Sequence, residues 1–442
     1  MTSQLAMNLF PPTESQNIDS EWWGQLPNGW QVVRLKHIAF LQLSNVDKHT
    51  VEGQESVQLC NYTDVYKNER ITSDIPFMRA SATDEQIKRL SLQKSDVLLT
   101  KDSETPDDIG VPAVVSEELT GIICGYHLAI ARPMPDVAIG EFLFRSIQSE
   151  PVKRYFFSRA VGMTRYGLDK QALAETPIAL PDLEEQSAIA DYLDRETTKI
   201  NALIAAREEL LNLLTEKRRA LITHAVTSGL NANAPLRDSG VEWLGEIPAH
   251  WEVEFARWLF TEVNDRSTTG DEELLTVSHI TGVTPRSEKD VNMFMAESLE
   301  GYKTCRPGDL IINTLWAWMG AMGVAFQEGI VSPSYHVYRP VDRLEPRFVD
   351  YLVRMPIFAT EVTRYSKGVW SSRLRLYPEE FFGVLFPVPS LEEQQEIVDF
   401  LETQTAKLDQ LQKALQETLR LLEERRTALI TAVVSGQIRV TE

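Results

Sequence analysis

The clearest pattern of apolar and polar positions in the chain is a heptad pattern that occurs twice. Between residues 182 and 229, and again between 390 and 436, apolar residues recur at spacings of three, four and seven. This pattern predicts two long helices that pack along one side as a coiled coil. The predicted seam residues are Ile189, Leu193, Ile200, Leu203, Leu210, Leu214 and Leu221, and Ile397, Leu401, Leu408, Leu411, Leu415, Leu422 and Leu429.

The ends of both helices are marked by residues with suitable chemistry. Neither segment contains Pro or Gly before Gly229 or Gly436, which are natural helix stops. Each helix should therefore hold about 45 residues and measure roughly 65–70 Å. An N-cap residue followed three positions later by Glu forms the expected capping box at each start. These pairs are Asp182 with Glu185 and Ser390 with Glu393.

Two arrangements of the helices are compatible with the pattern. Each helix could pack separately on its neighbouring region, or the two helices could pair with each other. We favour pairing, and a pseudo-twofold relation between the halves makes the pair antiparallel. Leu193 should then lie near Leu429, and Leu221 near Leu401. Polar interruptions of the seam keep the first arrangement open: Glu196, Arg207, Lys217, Gln404, Thr418 and Arg425.

An internal repeat organises the whole chain. EWWGQLPNGW at 21–30 recurs as EWLGEIPAHW at 242–251, and LPDLEEQSAIADYL at 180–193 recurs as VPSLEEQQEIVDFL at 388–401. The order is therefore globular region, long helix, globular region, long helix. The predicted parts are a flexible tail at 1–20, a first region at 21–181, a first helix at 182–229, a linker at 230–241, a second region at 242–389, and a second helix with a C-terminal tail at 390–442.

The two globular regions are predicted to be mixed α and β. Short β-rich runs such as 96–100 and 308–314 lie between turn residues, and helical patterns follow at 141–157 and 347–364. The regions share this order but little sequence between their matched ends. A common frame with different contents indicates one fold used twice for two different targets.

Composition and charge narrow the possible partners. The chain has 442 residues and a net charge of −20, which argues against coating nucleic acid or anionic membranes with its whole surface. The longest near-apolar stretch, 310–326, is too short and too polar for a membrane span. The start lacks the features of a signal peptide. Three widely separated cysteines predict neither a disulfide framework nor a CxxC zinc site, and they fit a reducing cytoplasm: Cys60, Cys124 and Cys305.

Motifs for catalysis are missing from the sequence. It contains no phosphate-binding loop, no GxGxxG, no Asn-Pro-Pro-aromatic motif and no HExxH. Trp316 and Trp318 are expected to fill a core rather than stack on bases, and His127 and His336 are expected to be structural. Four acidic residues are interpreted as an exposed loop rather than a metal site: Asp102, Glu104, Asp107 and Asp108.

Two basic runs contrast with the acidic chain. Residues 151–168 and 362–378 each carry four positive charges and no acid, with aromatic residues interleaved. Two charges of the first run lie 208 residues before two charges of the second. Such runs suit contacts with DNA phosphates, although a solvated loop balancing nearby acids remains an alternative. The candidate DNA-binding residues are Lys153, Arg154, Arg159, Arg165, Tyr166, Arg364, Lys367, Trp370, Arg373 and Arg375.

The doubled motifs resemble the specificity subunits of type I restriction–modification systems. SGVEWLGEIPAHWEV in mid-chain and GDLIINTLWAWMGAMGVAFQEGIVSPSYHVYRP at 308–340 are typical of them, and SDVLLTKDSETPDDIGVPAVV at 95–115 is a shorter echo. The resemblance covers nearly the whole chain except residues 1–20. The first region departs from it, since Ser95-Asp96 replaces Gly308-Asp309 and no WAWMGA equivalent is present.

The resemblance implies a function in DNA recognition without catalysis. Two similar α+β target-recognition domains, separated by an antiparallel coiled coil, would each read one half of an asymmetric bipartite site in double-stranded DNA, with half-sites about 34 Å apart. The helices would act as a spacer and dock two modification subunits, which bring S-adenosylmethionine and methylate adenine. Restriction subunits would add ATP and Mg²⁺. The chain itself would need no cofactor or metal, and would act in the cytoplasm without a membrane.

Within this family, the basic residues take two expected roles. Arg159 and Lys367 are expected to clamp phosphates, whereas Arg165 and Arg373 are better candidates for reading bases, because guanidinium binds guanine in bidentate fashion. Two alternatives from other classes stay open. One is a nuclease or methyltransferase with unrecognised motifs. The other is a coiled-coil adaptor that binds proteins and has no DNA specificity.

Overall fold

The chain folds into two compact units that each combine distant parts of the sequence. A computed structural model describes residues 22–289, 298–368 and 374–440. Unit 1 contains residues up to 208 together with those from 417 onward, and unit 2 contains residues 209–416. Both units are mixed α and β, as predicted. The predicted tail at 1–20 lies outside the described residues.

Both long helices are present and begin where the sequence predicts. They span Leu183–Ser228, with 46 residues, and Leu391–Val434, with 44 residues. The side chain of Asp182 accepts a hydrogen bond from the Glu185 amide at 2.9 Å, and that of Ser390 accepts one from the Glu393 amide at 3.2 Å. These bonds satisfy amides that have no partner inside the helix, which confirms the predicted N-caps.

The two helices are antiparallel within each unit. In unit 1, Leu193 is fully buried in a core that also contains Leu429 and Ile430, from the end of the second helix. In unit 2, Leu221 from the end of the first helix packs against the core that contains Leu401. The preferred antiparallel pairing is therefore confirmed.

The predicted seam is wrong near the middle of the helices. Leu203 is 48% exposed and Leu411 is 49% exposed, whereas Ile204 and Gln412, one position later, are half-buried. Leu210 is exposed in the same way, and its neighbour at 211 takes the inner position. Further along the first helix, Leu214 and Leu221 keep their predicted inner positions, so part of the seam is correct and part lies one residue later than predicted. The heptad pattern therefore predicts the pairing but not the register at the centre.

Unit 1 is built around a five-stranded sheet, flanked by smaller sheets. The order of the five strands is Ala39–Leu43, Leu128–Pro133, Val97–Thr100, Pro112–Val115, Arg70–Ile71, and only the last pair is parallel. The other strands are Gln31–Arg34, Glu55–Cys60, Met78–Ala82, Asp102–Ser103, Ile122–Cys124, Val161–Gly162, Tyr166–Gly167 and Pro177–Leu180. The short helices are Leu35–His37 (3₁₀), Tyr62–Lys67, Asp84–Leu90, Gly140–Ile147, Glu150–Arg159 and Lys170–Ala174.

Unit 2 repeats the same central arrangement. Its main sheet has the order Phe260–Val263, Tyr335–Pro340, Leu310–Asn313, Met322–Val324, and all pairs are antiparallel. The other strands are Leu236–Asp238, Glu246–Pro248, Glu252–Phe255, Leu275–Ser278, Gly282–Pro285, Lys303–Cys305, Gly329–Val331 and Leu385–Val388. The short helices are Ala256–Leu259, Pro346–Val353, Pro356–Tyr365 and Pro378–Phe381, with 3₁₀ turns at Arg286–Glu288 and Ala317–Met319.

A buried ion pair occupies the same place in both main sheets. In unit 1, Asp96 is 1% exposed and accepts bonds from Arg132 at 2.7 Å. In unit 2, Asp309 is also 1% exposed and accepts bonds from Arg339 at 2.9 Å. Ser95, which stands where unit 2 has a glycine, adopts the left-handed conformation with φ +73°. The sequence difference at this turn therefore leaves the backbone arrangement unchanged.

The repeated LEEQ motif has a structural role that its position in the fold explains. The buried side chain of Gln186 accepts a hydrogen bond from the amide of Ile139 at 2.9 Å and donates to the carbonyls of Val137, at 3.1 Å, and Pro181, at 3.0 Å. Gln394 makes the matching set of bonds in unit 2. Its partners are the Glu345 amide at 2.8 Å and the carbonyls of Arg343 at 3.0 Å and Pro389 at 2.9 Å. Each glutamine thus ties the start of a long helix to the globular region beside it.

The other repeated motif, EW·G··P··W, packs against the end of a long helix. In unit 1, Pro27 and Trp30 lie against Gly436, and in unit 2, Pro248 and Trp251 lie against Gly229. Both glycines have φ +72°, and a Cβ on Gly436 would lie 2.2 Å from Pro27 Cγ. The backbone conformation therefore favours glycine at each helix end, and at Gly436 close packing also leaves no room for a side chain.

Two further expectations concern the cysteines and the membrane. All three cysteines are buried and unpaired. Burial raises the pKa of the Cys60 and Cys124 thiols well above the usual range, and that of Cys305 to about 12. Within the described ranges, none of the helices combines the length and the apolar character that crossing a bilayer requires.

Candidate DNA-binding surface

The basic run of unit 1 forms the end of a helix and a protruding hairpin. Helix Glu150–Arg159 is followed by the paired strands Val161–Gly162 and Tyr166–Gly167. The second of these strands also pairs with Asp102–Ser103. Met163, near the tip, is 94% exposed. The hairpin therefore presents its tip to solvent while its base is held by a neighbouring strand.

The structure brings Arg165 together with two residues that the sequence did not connect to it. A guanidinium nitrogen of Arg165 lies 3.4 Å from Nδ1 of His127, and the same Nδ1 lies 2.8 Å from a carboxylate oxygen of Asp102. From the sequence, His127 is expected to be structural and Asp102 to belong to an exposed acidic loop. Their proximity follows from the pairing of Leu128 with Thr100, which is continued by a hydrogen bond of 3.0 Å from the Lys101 amide to the His127 carbonyl and so brings Asp102 near His127.

The other candidates of unit 1 have more varied surroundings. Arg159 lies 5.5 Å from the ring centre of Tyr155 in a cation–π contact. Arg154 is exposed, and Tyr166 is half-buried. Lys153 lines a cleft that also contains Asp108 and Arg426. The first run therefore contains one arginine, Arg159, that packs on an aromatic ring, and others, such as Arg154, that are exposed to solvent.

The structure describes part of the basic run of unit 2, and two of the described basic side chains, Arg364 and Lys367, form ion pairs. Arg364 pairs with Glu242 at 2.7 Å and with Glu361 at 3.4 Å. Lys367 pairs with Glu380, and the bond to that carboxylate raises the pKa of the Lys367 ammonium group. The backbones of Lys367 and Arg375 exchange two hydrogen bonds of 2.9 Å. Two candidates, Trp370 and Arg373, lie outside the described residues.

Both runs are attached to their main sheets in the same way. In unit 1, the amide of buried Leu168 donates to the carbonyl of Lys101 at 2.8 Å. In unit 2, the amide of buried Leu376 donates to the carbonyl of Thr314 at 3.3 Å. The acceptors directly follow equivalent strands, Val97–Thr100 and Leu310–Asn313. The runs therefore occupy equivalent places, which the matched sequence positions had indicated.

The segments that follow these strands differ in chemistry. Unit 1 has the acidic segment, where Asp108 accepts a hydrogen bond from the Tyr66 hydroxyl at 2.8 Å. Over the residues that the structure describes, no group of three or more His, Cys, Asp or Glu side chains is arranged to hold a metal ion. Unit 2 instead has Trp316, which is 50% exposed. The expectation that this tryptophan fills a core is wrong, because the turn buries Ala317 and leaves its neighbour outside.

The chain is similar to known proteins in both sequence and fold. Residues 27–213 match the family model described as Type I restriction modification DNA specificity domain. The type I restriction enzyme EcoBI specificity subunit of Escherichia coli is 24% identical over 301 residues, which is 61% of this chain. The match spans 60% of the length of that curated relative.

Solved structures resemble the fold over nearly the whole chain. The HsdS subunit from Thermoanaerobacter tengcongensis matches with a TM-score of 0.52 and 20% identity, over 95% of this chain and 100% of that one. A chain from a structure of a type I restriction–modification system, on complex assembly and conformational transition, matches with a TM-score of 0.66 and 20% identity, over 94% of this chain and 100% of its own. Over residues 27–213 the chain thus matches the DNA specificity domain of type I restriction–modification systems, and its fold resembles that of a solved HsdS subunit.

Proposed function

We propose that the chain is a non-catalytic DNA-recognition subunit. The regions at 21–181 and 242–389 each read one half of an asymmetric, bipartite site in double-stranded DNA. The helices at 182–229 and 390–442 hold the two readers apart and dock two modification subunits. Those subunits supply S-adenosylmethionine and the chemistry of adenine methylation, and restriction subunits, with ATP and Mg²⁺, would extend the complex to an endonuclease.

One observation carries this proposal. Two basic runs of a strongly acidic chain are attached to equivalent strand ends by equivalent backbone bonds, Leu168 to Lys101 and Leu376 to Thr314. A solvated loop that only balances nearby acids has no reason to recur at one place in two regions of different sequence. Positive charge at a repeated place suits contacts with the phosphates of a duplex.

The residues in unit 1 divide into two roles. Arg159, supported by the Tyr155 ring, acts as a phosphate clamp that fixes register. Arg165 extends from the hairpin beside His127 and Asp102 and reads a base edge, because its planar guanidinium can bond guanine at two atoms. In unit 2, Lys367 and Arg373 take the corresponding roles.

Exchange of one globular region tests whether the two regions recognise their halves of the DNA site independently. Replacement of residues 31–179 with the equivalent region of another specificity subunit is expected to change one half of the methylated sequence and to leave the other half unchanged. The measurement is the sequence context of methylated adenines in DNA from cells that carry the hybrid subunit and its modification subunits. A change in both halves, or in neither, would contradict independent reading.

The two arginine roles predict different responses of DNA affinity to salt. In the complex with modification subunits, Arg159→Ala should weaken cognate and non-cognate duplexes alike and lower the salt slope by about 0.9. Arg165→Ala should weaken cognate duplex by about 1–3 kcal/mol and relax one base position, with a smaller change in slope. Lys88→Ala, an exposed charge on helix Asp84–Leu90, is the matched control and should change neither.

Three outcomes would change the assignment of function. Unchanged affinity and slope for both arginine variants would return the basic run to the role of a solvated loop. Failure of the wild-type complex to bind any duplex, at every salt concentration, would favour the adaptor function instead. Turnover of DNA by the isolated chain would favour an enzyme.

A further inference from the structure

An exposed apolar turn lies beside the basic run of unit 2. Leu315, Trp316 and Met319 are 41%, 50% and 37% exposed, while Ala317 between them is fully buried. The rings of Trp316 and Trp318 stack at 6.2 Å between centroids, with 20° between their planes. We call residues 315–319 the tryptophan turn. Large apolar side chains that are kept in water beside a buried alanine call for a functional explanation.

The backbone holds the tryptophan turn in this exposed arrangement. The amide of Trp316 donates to the carbonyl of Asn313 at 3.0 Å, and the carbonyl of Trp316 accepts from the amide of Ala321 at 3.1 Å. The indole N–H of Trp318 donates to the carbonyl of Leu315 at 3.0 Å. Because these bonds order the backbone of the turn and the Trp318 ring, the turn needs little further ordering when it meets a ligand.

Two hydrogen bonds tie the tryptophan turn to the basic run on both sides. The carbonyl of Thr314, directly before the turn, accepts from the amide of Leu376. The carbonyl of Trp318 accepts from the hydroxyl of Thr363, on the helix that precedes Lys367, at 3.3 Å. A duplex whose phosphates lie against this run therefore has its base pairs within reach of the exposed rings.

The equivalent place in unit 1 carries the opposite chemistry. There the segment after the central strand supplies Asp102, which meets His127 and Arg165. Polar groups of this kind match the donors and acceptors of base edges. Indole rings have an apolar face instead, and apolar side chains next to basic ones act as wedges that partly unstack a base step and bend the duplex.

From this contrast we propose that the tryptophan turn presses Trp316 into one base step of the half-site bound by unit 2. The half-site is then read partly through the ease with which that step unstacks, whereas unit 1 reads base edges alone. This inference rests on the proposed function, since it assumes that unit 2 faces duplex DNA. It adds a specificity-determining residue, Trp316, and a mode of reading that differs between the two halves of one site.

The test uses the complex with modification subunits and duplexes in which 2-aminopurine replaces one adenine at a time. Unstacking raises 2-aminopurine fluorescence, and the modification subunits themselves flip the adenine that they methylate, so the methylated positions are left as adenine. At the remaining positions, wild-type protein should brighten one in the half-site of unit 2 and none in the other half. Trp316→Ala should abolish that signal and weaken cognate binding roughly 5- to 150-fold, the range expected for one lost stacking contact. The salt slope should stay unchanged, because no phosphate contact is removed.

Two further variants make the test specific. Trp316→Phe should keep part of the signal, because a phenyl ring retains an aromatic face. Trp258→Ala removes another exposed tryptophan of unit 2, which is 67% exposed, and should leave fluorescence and affinity unchanged. Thermal unfolding of Trp316→Ala should match wild type, since the side chain has few contacts to lose.

The results separate this inference from the proposed function. If wild-type protein binds cognate duplex but Trp316→Ala binds equally well with the same fluorescence pattern, the wedge is wrong and the proposed function stands. If Trp316→Ala instead fails to assemble with modification subunits, the turn contacts protein and the wedge is likewise wrong. If the wild-type complex binds no duplex, the proposed function itself fails.

Discussion

Leu193→Ala and Leu401→Ala are each expected to lower the free energy of unfolding by about 2–5 kcal/mol. Both leucines are fully buried where a long helix leaves its globular region, one in each unit. Truncation removes apolar contacts and leaves a cavity that the surrounding core can only partly fill. The same change at Leu203 or Leu411 should cost about 0.5 kcal/mol or less, because those side chains are half exposed.

These four variants form a matched set, since each is Leu→Ala in a long helix. The measurement is chemical denaturation of the intact chain, followed by circular dichroism and by tryptophan fluorescence. If the two units unfold in separate transitions, Leu193→Ala should shift one and Leu401→Ala the other. Equal losses at Leu193 and Leu203 would mean that the predicted seam is correct and that Leu203 is buried in the folded chain.

Gln394→Leu is expected to destabilise unit 2 by several kcal/mol. The substitution keeps a side chain of similar length but removes all three hydrogen bonds of the glutamine. The amide of Glu345 and the carbonyls of Arg343 and Pro389 would then lack this partner, at a cost of about 1–3 kcal/mol for each group that remains buried. Gln186→Leu should have the same effect on unit 1, where the set of bonds is the same.

The neighbouring Gln395 offers a close control. It is exposed, and Gln395→Leu should change stability by about 0.5 kcal/mol or less. Native-state hydrogen exchange gives a local measurement, because the Glu345 amide should exchange faster in Gln394→Leu than in wild type. If Gln394→Leu proved no more destabilising than Gln395→Leu, the glutamine would not be what ties the helix to its globular region.

The features of the fold that the sequence predicted depend on local chemistry. Asp182 and Ser390 cap their helices because a side-chain oxygen needs only an amide three residues ahead. The role of Gln186 could not be predicted, although its motif was seen to repeat. Two of its partners, Val137 and Ile139, lie nearly fifty residues earlier, and only the folded chain brings them to it.

The candidate DNA-binding surface likewise has some features that the sequence predicts and others that depend on the folded chain. The equivalence of the two basic runs followed from matched positions in the repeat. The contact between Arg165 and His127 depends on strand register, which the sequence did not fix. The exposure of Trp316 was predicted wrongly, because composition favours a core for Trp, whereas the turn around buried Ala317 directs that ring to solvent.

The packing of Gly436 against Pro27 has a consequence for how the protein is made. A ribosome synthesises residues 22–208 of unit 1 before unit 2, but the core of unit 1 also needs Ile430, Val433 and Val434, which emerge only after the whole of unit 2. Until then Leu193 lacks these neighbours, and nascent unit 1 exposes an apolar strip that chaperones can bind. Loss of residues 430–436 would therefore damage a unit of which most residues are translated before unit 2.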